Sequence, residues 1–184
     1  AAKRMSPRLV LDLFKQTNDE VAQYLKTVDP FAPALFSVAW AGEETSANWF
    51  HWAREYTEKW HHQQQIRLAV GKEKELYTRE FYYPHLDTSL RALPHHYRNF
   101  PGTNGDVLSF EITGEGGGIW HLFHDGQQWL QVEDIPVQEN LITIDGDIAW
   151  RLFTKGIKRE ETRIKIQGNK EAGEHLLSML AVMA

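Results

Sequence analysis

The apolar residues of this chain change period part-way along it, and that change limits the fold more than any other feature. Before about Phe100 they recur at helical spacing: Leu9, Leu13, Val21 and Leu25 mark one stripe, with Phe14 and Tyr24 beside it. After the turn cluster Pro101-Gly102-Thr103-Asn104-Gly105 the pattern becomes short strand-like runs, Val107 to Thr113, Ile119 to His124 and Trp129 to Val132, separated by Gly-rich turns. Asn140 to Ile144 reads as a fourth strand and Arg163 to Gln167 as a fifth. Asp147 is the expected cap of a short helix through Phe153, and Asn169 caps a last helix towards the C-terminus. The expectation is an α+β chain: a helical domain over 1–100, then a small mixed ββββαβα domain over 101–184.

The helical part carries its own punctuation. Ser6-Pro7 starts the first helix, Thr17 to Glu20 reads as a capping box that allows a break, and Asp29-Pro30 ends the run. Ser46 or Asn48 caps the most regular helix, which reaches about Val70 without Gly or Pro and stops at Gly71. A further helix is expected from Pro84 to about Leu93, interrupted by Pro94. The chain opens at Ala1 with no secretory pattern of basic stretch, apolar run and small-residue cleavage site, which predicts a cytoplasmic protein and a piece of something longer.

Composition removes several kinds of chemistry. Without cysteine, disulfides, thiolate nucleophiles and Cys-ligated metals are excluded. Twenty Lys+Arg against twenty-five Asp+Glu give a net charge of -5, so no basic field draws in nucleic acid or an anionic membrane. No apolar stretch approaches the ~20 residues of a membrane helix.

What remains is concentrated on the helix after Ser46. Trp49, Trp52, Tyr56 and Trp60 share one face, since successive residues turn by about 100°. That stripe needs a partner, and the expectation is a homo-oligomer formed through these side chains. A second stripe holds His51, Glu55, Glu58 and His62. Glu58 and His62, spaced i, i+4, lie about 5–6 Å apart at Cβ, a separation that one divalent ion spans. An ordinary solvated ion pair has the same spacing. His61 points about a third of a turn away and reads as exposed or supporting, while Glu55 or Gln65 can orient His62. His85 and His95-His96, beside prolines, read as capping or surface residues. Gly114 to Gly118 reads as a hairpin turn, because no helix follows it. Arg151, next to Trp150, either offers a guanidinium to a bound carboxylate or is a surface residue beside a core anchor.

The segments Ala39 to Glu44, Asn48 to Phe50 and Arg54 to Arg67 resemble the mycothiol-dependent maleylpyruvate isomerase family within the DinB-like superfamily. Ser6 to Leu9, Leu93-Pro94 with Tyr97-Arg98, Ala149 to Phe153 and the Val182-Met183-Ala184 ending carry the same resemblance, which covers essentially the whole chain. It implies a four-helix bundle followed by a sterol-carrier-protein-like α+β domain. It also implies a divalent metal, zinc, held by an early His and a later Glu-x-x-x-His pair that falls on Glu58 and His62. No His precedes His51, so the chain is expected to lack the first part of the bundle and with it the third ligand. The implied function is a metal-dependent enzyme, an isomerase or thiol transferase. It would use mycothiol or a similar low-molecular-weight thiol on a small electrophile, borrowing a nucleophile that the cysteine-free chain does not have. The competing expectation is a non-enzymatic module that dimerises or binds an apolar ligand near Trp120, Phe123 and Trp129.

Overall fold

The computed structural model describes residues 2–137 and 139–181, and over them the chain is α+β. Helices α1 (Pro7–Leu25), α2 (Asn48–Ala69), α3 (Arg79–Leu90) and α4 (Leu93–Tyr97) come first. Strands β1 (Val107–Ile112), β2 (Gly118–His124), β3 (Trp129–Val132) and β4 (Leu141–Ile144) follow, then α5 (Gly146–Phe153), β5 (Ile164–Gln167) and α6 (Lys170–Leu176). The ending Val182 to Ala184 lies outside the described residues, and the last helix stops at Leu176. Among the described residues no helix is long and apolar enough to cross a membrane.

The sheet has the order β3-β2-β1-β4-β5. β1 and β4 run parallel, and the other pairs are antiparallel, with Ser109 opposite His121 and Phe110 opposite Trp120. Alternation along each strand sends Leu108, Phe110, Ile112, Trp120, Leu122, Ile142 and Ile144 to the face that packs under the helices. That core continues into Trp60, Tyr82, Leu86, Leu90, Leu93 and Tyr97, so apolar packing runs unbroken from the second helix to the sheet. Tyr82 hydroxyl donates to Gly146 O at 2.5 Å and Tyr97 hydroxyl to Ala172 O at 2.7 Å, tying α3 and α4 to the later elements. His96 and His175 stack at 4.3 Å, and each Nε2–H donates to the other's carbonyl.

Several boundaries differ from the expected ones for local reasons. α1 is unbroken: Thr17 returns its hydroxyl to Leu13 O instead of starting a new helix. Ala47, not Ser46 or Asn48, occupies the cap of α2, because Ser46 takes the Val38 N–H and bonds the Glu43 carboxylate. α3 begins at Arg79, five residues before Pro84, which sits inside it. The expected interruption comes slightly earlier: α3 ends at Leu90, and α4 resumes at Leu93 with Pro94 in its first turn. Asp145, not Asp147, holds the cap position of α5. Gly117 shows what the β1–β2 turn demands: a Cβ there would lie 1.9 Å from Ile112 O.

α1 stands apart from this core. Ser6 caps it, but none of its residues is buried, and Leu9, Val10, Leu11, Leu13, Phe14, Val21 and Tyr24 are all exposed. Phe31, Leu35 and Phe36 in the following loop are exposed as well, by 79%, 87% and 72%. Each such side chain forgoes about 1.5–3 kcal/mol of burial.

Candidate metal pair on α2

α2 presents one face to α3 and another to solvent. Phe50, Thr57, Trp60, His61 and Gln64 are buried, at helical spacing. Glu58 and His62 each follow a buried residue by one position, about 100° further round, which brings them to the edge facing solvent. Part of the aromatic stripe has its partner inside the chain. Trp60 stacks on Tyr82 at 4.9 Å and on His85 at 4.1 Å, while Tyr56 hydroxyl donates to Phe81 O. Trp49 stacks on Phe50 under the Arg91 guanidinium. Of the four aromatics expected to meet a second copy, Trp60 is thus taken up inside the chain, while Trp49, Trp52 and Tyr56 stay half-buried and α1 adds a longer run of exposed apolar side chains.

Glu58 Oε2 and His62 Nε2 lie 3.5 Å apart, with side chains 36% and 64% exposed. Two donors at metal-ligand distance from one tetrahedral zinc would be about 3.3–3.6 Å apart. Gln65 Oε1 lies 3.0 Å from His62 Nδ1, so Gln65 and not Glu55 is the orienting residue; Glu55 pairs with Lys59. With Nδ1 turned to Gln65, His62 Nε2 faces the carboxylate, and a proton or a metal ion fits between the two atoms at that distance. Among the described residues no group of three or more His, Asp and Glu side chains assembles around a common point. The pair thus fits two positions of a metal site. His51 does not join it, since its Nε2–H donates to Phe36 O.

The other histidines are placed differently from the expectation. His61 is buried, 3% exposed, edge-on to Trp150, and burial lowers its pKa. His85 is fully enclosed and pushed down to about 3, first by desolvation and then by His61. Neither ring nitrogen of His85 has a partner among the described residues, nor do His61 Nδ1, Gln64 Oε1 and Trp60 Nε1. Such buried orphans cost about 1–3 kcal/mol each. The signal for them was in the sequence: Thr57, His61 and Gln64 follow Phe50 at helical spacing, but a search for apolar stripes passes over polar residues. His96 also turns inward, against His175.

Arg151 is half-buried and donates to Gly156 O in its own loop at 3.4 Å, beside the buried Trp150, whose indole N–H donates to Tyr77 hydroxyl. Trp120 and Trp129 are both in the core, donating to Asp87 and to Phe100 O, which leaves Phe123 alone of the three aromatics proposed to bind an apolar ligand. No family model, no curated protein and no solved structure matches this chain.

Proposed function

We propose that Glu58 and His62 are two donors of a divalent-metal site, with zinc the ion best suited to one imidazole and one carboxylate, and that the completed site belongs to a thiol-using isomerase or transferase. The observation that carries this reading is the 3.5 Å approach of His62 Nε2 to Glu58 Oε2, with the ring held at Nδ1 by Gln65. The resemblance of Arg54 to Arg67 to the maleylpyruvate isomerase family, and the DinB-like bundle it implies, support it from the sequence side. The third donor comes with the polypeptide that covers the apolar face of α1, a second copy of the chain or a further segment. A divalent ion held by Glu58 and His62 would supply the positive charge that favours the thiolate form of mycothiol or a related thiol, the nucleophile this cysteine-free chain lacks. The chain's own part is to hold and orient: Glu58 neutralises charge, Gln65 fixes the His62 ring, and Arg151 is the guanidinium available for a substrate carboxylate. Calorimetric zinc titration of this chain, and of a form extended at its N-terminus, tests the proposal. Zinc binding abolished by Glu58→Ala and by His62→Ala supports it; no zinc binding by either form leaves the pair an exposed ion pair worth about 0–1 kcal/mol and removes the enzyme reading.

A further inference from the structure

A cleft of about 380 Å³ opens where the edge of β2 passes α3, remote in sequence from the α2 pair. It exists because β3 stops at Val132, opposite His121, while β2 continues to Gly118. The chain then turns away through Asp134, held at a φ of +56°, a left-handed conformation that Asp tolerates better than most residues. Tyr83 and Asp87 of α3, His121 and Gln131 of the sheet, and the exposed Glu133 and Asp134 line it.

His121 is the informative residue. It is 93% buried by its 7% exposure, and its Nδ1 lies 3.0 Å from the hydroxyl of Ser109, which is wholly buried. That is the one hydrogen bond of the Ser109 hydroxyl among the described residues, so its proton goes to Nδ1 and the ring carries its own proton on Nε2. Nε2–H has no partner among the described residues, yet it is not sealed in, and the ring lines the cleft. Burial lowers the His121 pKa, which keeps the ring neutral at pH 7. Asp87 is already engaged by the Trp120 indole N–H at 3.0 Å and by Arg91 at 3.7 Å. Glu133 and Asp134 have no ion-pair partner among the described residues. The cleft therefore combines a buried neutral donor with free carboxylates at its mouth.

We infer that this cleft binds a small primary ammonium compound with a hydrogen-bond acceptor close to the amine, the ammonium held by Glu133 and Asp134 and the acceptor by His121 Nε2–H. Amino alcohols and free amino acids share that chemistry. NMR titration of the intact chain with glucosamine and with alanine distinguishes them, and N-acetylglucosamine serves as the uncharged control. Shifts centred on the Trp120 indole N–H and the His121 ring with glucosamine alone assign an amino alcohol; with alanine alone, an amino acid; with both, the shared ammonium–acceptor unit. Affinity should fall about tenfold or more in Glu133→Gln/Asp134→Asn, and likewise in His121→Asn, whose amide reaches Ser109 but leaves nothing at the Nε2 position. Amide spectra of both variants confirm that they fold. No shift with either amine, equal binding of N-acetylglucosamine, or unchanged affinity in the folded variants overturns the inference.

Discussion

Lowering the pH should destabilise this protein through His85. Unfolded, the ring takes up a proton below about 6.5; folded, it does so only near 3, because it is enclosed between α2 and α3 with no partner for either nitrogen. Between those values the unfolded state binds more protons, so stability falls as pH falls. The slope is about 1.4 kcal/mol per pH unit, and at pH 5 the loss relative to pH 8 is about 2 kcal/mol. Urea unfolding followed by Trp fluorescence at pH 8, 6 and 5 measures it. Other titrating groups add their own dependence, so the comparison is with His85→Leu, which keeps a similar volume and removes the ring. The variant should lose about 2 kcal/mol less between pH 8 and 5, and should be no less stable at pH 8, since two orphaned nitrogens disappear. Identical pH profiles for the two proteins would refute the reasoning, and so would a His85→Leu protein markedly weaker at pH 8, which would mean that the ring nitrogens are hydrogen-bonded after all.

Three further outcomes are expected. Gln65→Ala should weaken zinc binding at the completed site by about tenfold or more without changing helicity; unchanged affinity would remove Gln65 as the orienting group. Leu13→Glu with Val21→Glu should shift sedimentation to the monomer and leave the far-UV circular dichroism of the chain unchanged, because α1 has no buried residue within the single chain. A wild-type chain that stays monomeric at high concentration would instead leave α1 to another segment. Tyr97→Phe strands the Ala172 carbonyl inside the core and should cost about 1–2 kcal/mol, read as a lower urea midpoint.

The candidate site was partly legible for a simple reason. Helical geometry depends only on spacing, so Glu58 and His62 had to be neighbours once α2 was recognised, and their 3.5 Å approach follows from it. Which residue would hold the His62 ring was open between Glu55, two turns before it on the same stripe, and Gln65, within a turn after it; the engagement of Glu55 with Lys59 decided for Gln65. The inward turn of His61 was not legible, since adjacent residues on a helix differ by about 100° and only the packing of α3 says which one faces it.

By itself the sequence determined where the chain changes from helix to strand, the five strands in order and the α+β class, because period and turn residues act over a few neighbours. It also excluded every cysteine-dependent chemistry. Only the tertiary structure decided that β4 lies parallel to β1, that Trp60 is sandwiched against Tyr82 and His85, and that α1 is left with its apolar side uncovered. Those outcomes depend on which surfaces meet after the elements form. Burial is a property of the pair of faces in contact, and no single segment carries that information.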